Sequence, residues 1–394
     1  MTLAMQRDLL ISRRSFLIGC SAAASPLLTP ISFAATPGEN RLVVIVLRGA
    51  MDGLDVVRPL GDPDWRGLRP TLAAEAAAQS LDLDGFFGLH PGCAGLMPLW
   101  RAGELGFAHA VATPYRARRS HFVGQDFLEN GGAEKTGTMT AAEDGWLNRA
   151  LGRIKGAPDM AVTVGREPMR ILEGAAAAQQ WLPVSESHLS GQGEALLARL
   201  HAQDPVFAES YSQALALREE TKTERISNAD AKRDQLGTYV AGRLNGTARI
   251  ATFSFGGWDT HYRQDLALTR RLGDLTDTVL ALKAGLGRNW DSTLVLALTE
   301  FGRSAHENGS GGTDHGTGGA LLMAGGALRG GRVLGRWPGL READLYDRRD
   351  LMPTADVRAY AGWALRDMFG LSVSDIEGAV FPALDMAASP RLVL

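Results

Sequence analysis

Long apolar runs, cysteine and net charge are all scarce in this 394-residue chain, and each scarcity removes a class of answer. Past the N-terminal region no stretch approaches about 18 uninterrupted apolar residues, so no spanning helix is expected in the mature protein. There are two cysteines, Cys20 and Cys93. If processing removes the first, Cys93 stands alone and no internal disulfide can form. The formal net charge is −3, which gives no electrostatic ground for binding nucleic acid or an anionic membrane surface. No internal repeat at solenoid or propeller spacing occurs. What is present is 45% hydrophobic content over a length that can bury a large core, with 47 glycines spread along the chain as loop formers.

The N-terminus reads as an export signal. Ser12-Arg13-Arg14-Ser15-Phe16-Leu17 precedes a mildly apolar, Ala-rich stretch, and Ser32-Phe33-Ala34 offers the small residues at which a signal peptidase cuts. Paired arginines before Ser-Phe-Leu resemble the twin-arginine signal, an address for the export machinery rather than an anchor. Leu17-Ile18-Gly19-Cys20 has the look of a lipoprotein box, but hardly any apolar segment precedes it, so lipidation is not expected. The expected organisation is a signal peptide over residues 1–34 and a single domain over 35–394 with a helical insertion around 165–246. The mature protein is expected in the periplasm or outside the cell, folded before export.

Four apolar runs, at residues 41–47, 105–111, 249–255 and 293–299, have the length and β-branched content of buried strands. Amphipathic helical spacing follows several of them, most clearly in Leu268, Leu272, Leu275, Val279, Leu282 and Leu286. Such alternation predicts a mainly parallel sheet covered on both faces. Ligand sites of such sheets lie outside the carboxyl ends of the strands, where this chain places its chemistry. The first run leads to Asp52, either a metal ligand beside glycines or a helix N-cap. The second leads to Arg118, Arg119, Ser120 and His121 at a loop-to-helix junction. There the hydroxyl is either a nucleophile beside anion-binding arginines or an N-cap. The third leads to Asp259 and His261, the fourth to Glu300, and the Gly-rich loop beyond to Asp314 and His315. Glu300 could instead pair with Arg303. Carboxylate and imidazole together suit zinc, manganese, iron, calcium or magnesium, with histidine favouring a transition metal. His90, His109, His188, His201 and His306 lack such company and read as surface or packing residues.

Together the segments SRRSF, LRGAMDGLD, RSHFVGQDFLENG, GGWDTH, LTEFGR and GTDHGTGG resemble the family called domain of unknown function 1501, over nearly all of residues 12–394. That family is mostly twin-arginine-exported and sits in the alkaline-phosphatase/sulfatase-like superfamily. The resemblance implies a three-layer alkaline-phosphatase-like α/β fold, one or two divalent ions at the sheet edge and a Ser or Thr nucleophile. It implies Asp52, Asp259, His261, Glu300 and His315 as metal ligands, with Asp314 beside His315 the other register, and places Ser120 near the nucleophile; the residues themselves add Arg118, Arg119 and His121 to the candidate catalytic set. The expected function is hydrolysis of a small anionic phosphate or sulfate ester, with a catalytically inactive relative that keeps a metal as the alternative. Phe301 departs from the superfamily pattern, standing where a second metal would want histidine.

Overall fold

The structure, a computed structural model, describes residues 39–394 except Glu75, 117–118, 136–137, 141–142, 155–159, 166–168 and 182–232. The expected signal segment, Arg118, His188 and His201 therefore lie outside the described residues, as does most of the expected helical insertion.

Strand β1, Arg41–Leu47, has every residue buried. Its side chains alternate between two cores. Val43, Ile45 and Leu47 pack in one, and Leu42, Val44 and Val46 in the other. A strand buried on both faces has no polar positions, which is why its sequence reads as an unbroken apolar run. Full burial of each such side chain is worth about 1.5–3 kcal/mol before entropy is counted.

The other strands of the sheet are β2 (Leu105–Ala112), β3 (Ala161–Val164), β4 (Gln179–Trp181), β5 (Ile250–Phe255) and β6 (Thr293–Leu298). After β6, a hairpin of β7 (Arg303–Glu307) and β8 (Thr313–His315) precedes β9 (Gly319–Ala324). Two short strands, β10 (Val333–Leu334) and β11 (Ala355–Asp356), complete the nine-stranded sheet. Its order is β10-β2-β9-β6-β1-β5-β3-β4, with β11 also paired to β2. In the centre β1 pairs in parallel with β5 (Val44 opposite Thr252) and with β6 (Val44 opposite Leu296). Strand β9 alone runs against the rest, antiparallel to both β6 and β2.

Helices cover both faces. On one, α4 (Gln264–Leu286) lays Leu268, Leu272, Leu275, Val279, Leu282 and Leu286 on the core of Val43 and Ile45, with α3 (Arg233–Asn245) beside it. On the other, α2 (Trp146–Leu151) and α5 (Val357–Phe369) pack on the core of Leu42 and Val44. Helix α5 starts where Asp356 accepts the Arg358 N–H and stops at Gly370 in the left-handed region (φ 74°). Helix α1, Val123–Asn130 by spacing, begins earlier, at His121, and runs to Asn130. The expected three-layer α/β architecture, with a mostly parallel sheet, is the one found. One difference stands out: residues 303–315 form a β-hairpin where glycine, serine and asparagine predict a plain loop. No helix of the described residues is long and apolar enough to cross a membrane.

Candidate metal centre

The direction of each strand decides which loops meet. β1, β2, β5 and β6 all end at one edge, so the segments carrying Gly49, His121, Asp259 and Glu300 emerge together. Because β9 is reversed, its first residue lies at that same edge, and the β7–β8 hairpin before it is held there too. At Gly49 (φ +119°) the β1 exit touches the β5 exit so closely that a Cβ would stand 2.5 Å from the Asp259 amide nitrogen. Only glycine permits both the backbone angle and the contact.

Three imidazoles and one carboxylate converge there. His315 Nε2 is 2.9 Å from His121 Nε2, 2.9 Å from His261 Nε2 and 3.1 Å from Asp259 Oδ1. Asp259 also reaches His261 Nε2 (2.9 Å, Oδ1) and His121 Nε2 (3.3 Å, Oδ2). His121, Asp259 and His315 each offer a ligand atom, all within 4.8 Å of one another. Behind each ring stands an acceptor. His121 Nδ1 is 2.8 Å from Glu300 Oε1, and His315 Nδ1 is 2.9 Å from the Arg119 carbonyl. His261 Nδ1 meets Asp314 Oδ1 more loosely, at 3.4 Å.

These acceptors settle the tautomers. A carbonyl or carboxylate oxygen accepts, so Nδ1 of His121 and of His315 donates, and each ring, when neutral, turns its Nε2 lone pair inward. Two lone pairs facing at 2.9 Å repel unless a cation stands between or beside them. A single proton relieves one pair but cannot serve His121, His261 and Asp259 around His315 at once. A divalent ion can. Its nitrogen ligands at about 2.0–2.1 Å would stand ~3.3 Å apart in a tetrahedral site, close to the 2.9–3.3 Å separations here. The donor set of His121, Asp259 and His315, whose ligand atoms lie within 4.8 Å of one another, therefore fits a transition metal, with His261 beside His315 and Asp259.

Charge around the centre is balanced by fixed partners. Burial would raise the Asp259 carboxyl, but a hydrogen bond from the Arg303 guanidinium (2.6 Å), reinforced by the histidines, holds it below the usual range. Burial would likewise raise Glu300, yet its bonds with His121, Gln125 (3.0 Å) and the Gly49 N–H (2.9 Å) keep it ionised. His121 is shifted up, chiefly by Glu300, whereas His315 is shifted down by burial. The centre opens to solvent at the side chains of His261 and Asp259, 43% and 40% exposed.

Of the residues singled out in the sequence, the structure gathers His121, Asp259, His261 and His315. Glu300 stands one step back, behind His121, and Arg303 pairs with Asp259 rather than with Glu300. Asp314 sits on the outer face of His261. Asp52 is elsewhere. Its carboxylate caps the helical turn Gly53–Val56 through Leu54 N and pairs with the fully buried Arg69 at 2.7 Å. Both charge and hydrogen-bonding capacity are used there, which is the N-cap alternative. Ser120 is the residue before α1, and its hydroxyl makes no capping bond. The Arg119 guanidinium pairs with buried Asp350 at 3.0 Å, so its contribution to the centre is its carbonyl. Phe301 stacks on His121 with ring centroids 5.1 Å apart and forms an apolar wall on that side of the centre. Gln125 has no mark in the sequence, and Arg303 stands out there only as a partner for Glu300. Gln125 lies one turn after His121 on α1, a spacing that puts both on one face. Arg303's role depends on the hairpin, which local sequence does not announce.

Fold and site together define an α/β protein with a histidine–aspartate centre at the carboxyl edge of its sheet. The chain belongs to the family described as a protein of unknown function (DUF1501), whose model matches residues 100–370. Among curated proteins none matches it in sequence. Three solved structures resemble it at low identity. One is a protein in the alkaline phosphatase superfamily from Vibrio parahaemolyticus (12% identity, 73% of this chain and 60% of that one, TM-score 0.34). Another is the C-terminal periplasmic domain of EcEptC from Escherichia coli, in complex with Zn (10%, 73% and 73%, TM-score 0.36). The third is the lipoteichoic acid synthase LtaP from Listeria monocytogenes (9%, 68% and 58%, TM-score 0.35). This chain thus spans less than two thirds of the first and third of these proteins, and likeness of this grade carries no argument about activity.

Proposed function

We propose that the protein is an exported, metal-dependent hydrolase of phosphate or sulfate esters, with residues 35–394 as its single mature domain. The observation that carries the reading is the inward turn of the Nε2 atoms of His121, His261 and His315 onto Asp259, with an acceptor behind each ring. A divalent ion held by those four would supply Lewis-acid stabilisation to the anionic oxygens of an ester. Glu300 and the Arg119 carbonyl fix the ring planes, and Arg303 keeps Asp259 ionised and in place. Ser120, next to His121 and free of a capping bond, is the nucleophile of this proposal. The N-terminal end of α1 would favour anionic charge beside Ser120. Arg118, two residues before Ser120 in sequence, is the cation this proposal assigns to the ester.

The second reading is a relative that binds a metal without turning over esters. Two observations favour it: Phe301 forms an apolar wall beside His121, and Asp350 engages Arg119. One experiment separates the two. Protein purified from the periplasm without chelator is expected to carry about one equivalent of zinc, manganese or iron, lost in His315→Ala. Ser120→Ala is expected to keep the metal and lose turnover of aryl phosphates or sulfates by ~10³-fold or more. Metal bound with no ester turned over by the wild type would leave the second reading. Protein that neither carries nor takes up metal would sink both.

A further inference from the structure

The core of this protein is large, yet few bulky apolar side chains stand in solvent. Among the described residues they are Phe122 (85% exposed), Tyr262 (68%), Leu266 and Leu394. A lone exposed apolar residue needs no explanation. The placement of two of these does. Phe122 directly follows His121, and Tyr262 directly follows His261, so each ring is carried one residue, ~3.8 Å of backbone, from a histidine of the centre. Neither ring makes a hydrogen bond, a ring contact or an ion pair among the described residues. The centre opens to solvent at His261, which immediately precedes Tyr262, and at Asp259, three residues before it. Whatever follows the anionic head of a bound ester must leave through that opening. Rigid aromatic rings hold a flat partner at low entropic cost and prefer another ring face.

We propose that Phe122 and Tyr262 form an aromatic rim that receives the organic half of a ring-bearing ester, an aryl rather than a short alkyl one. The inference rests on the hydrolase reading above and adds the substrate class. The rim determines specificity without touching the reacting atoms, so it acts on the preference between substrates and leaves the metal alone.

The test uses non-hydrolysable pairs that share a head and differ in the organic half: phenylphosphonate against methylphosphonate, and benzenesulfonate against methanesulfonate. Binding to the metal-loaded mature protein is measured by calorimetry for wild type, Phe122→Ala, Tyr262→Ala and the double variant, with metal content in parallel. The wild type is expected to favour the aryl member by about tenfold or more, and each single variant to lose a few-fold of that preference. In the double variant the preference should vanish while the methyl ligand binds as before and metal content is unchanged. Equal affinity for the two members in the wild type overturns the rim, as does a preference that survives the double substitution. If no member of either pair binds and no ester is turned over with metal present, the hydrolase reading itself fails, a pattern distinct from methyl-ligand binding without aryl preference.

Discussion

Glu300 is fully buried and ionised, and His121 Nδ1, Gln125 Nε2 and the Gly49 N–H all lie within hydrogen-bond reach of one of its oxygens. Its role in the centre is to hold the His121 ring and its tautomer. Removing the charge while keeping the shape, as in Glu300→Gln, is expected to weaken metal affinity by ~10–100-fold. Chelator competition would read this, with the circular dichroism spectrum unchanged. An affinity equal to wild type would mean that Glu300 does not orient His121. The histidines away from the centre behave differently. His109 Nε2 donates to the Val57 carbonyl at 2.9 Å and its Nδ1 accepts the Ala110 N–H at 2.9 Å, so the neutral ring satisfies both nitrogens. Burial pushes His109 down to about 4, and His90 likewise down to about 4. Unfolded, both would titrate near 6.5, so below that pH the unfolded chain binds protons the folded chain refuses. The stability they contribute is complete above pH ~6.5 and is lost as pH falls toward 4, by roughly 3 kcal/mol for each ring. Urea denaturation between pH 7 and 4 should show this slope, and His109→Gln should flatten part of it. An equal slope in the variant would refute the assignment.

At the scale of elements, the reversed strand β9 is what closes the site. A connection from β6 to an antiparallel neighbour needs no crossover helix, so the intervening residues stay at the carboxyl edge and fold as the β7–β8 hairpin. Gly302 marks the tightest point: a Cβ there would stand 1.8 Å from the Gly318 carbonyl oxygen. Gly302→Ala is therefore expected to displace the hairpin, and His315 with it, costing more than ~1–3 kcal/mol of stability and most of the metal affinity. Thermal denaturation and metal titration would check this, and a variant with wild-type values in both would contradict the packing. The hairpin also shows where the sequence was legible and where it was not. β1 and β6 stood out because burial on both faces leaves a nearly continuous apolar run, and β5 because its small hydroxyl residues sit among buried Ile, Ala and Phe. Asp259, His261 and His315 could be placed because they follow those runs or lie in the loop beyond. The hairpin's order comes from Arg303, which bonds Thr313 Oγ1 (3.1 Å) and Asp259 (2.6 Å) across segments distant in sequence. No local pattern encodes that. Asp52 was open to two readings, and only the proximity of Arg69 shows how its charge is used. The place of Glu300 behind His121 was equally hidden, since the backbone path of the strand exit decides whether an acid faces an ion or a histidine.

For the whole molecule, the centre ties together segments that sequence keeps far apart. His121 arrives from β2, Asp259 and His261 from β5, and His315 from the hairpin before β9, so a bound ion would join three separate exits of one sheet. In the unfolded chain these ligands are more than 50 residues apart in two of the three steps, and the ion would bind the folded form in strong preference. Binding to the folded state alone stabilises by RT ln(1 + [L]/Kd), about 2.7 kcal/mol at a hundredfold excess over Kd. For a domain of this size each kcal/mol moves the melting temperature by ~2–4 °C or less. Metal added to chelator-stripped protein should therefore raise Tm by several degrees, with a dependence on metal concentration that gives the same Kd as direct titration. In Asp259→Asn the rise should shrink, and in His121→Ala/His315→Ala it should disappear, each rise being read against the metal-free Tm of the same variant, because His121 and Asp259 also pair with the buried Glu300 and Arg303. A metal-induced rise that persists in the double histidine variant would place the ion somewhere other than this edge of the sheet.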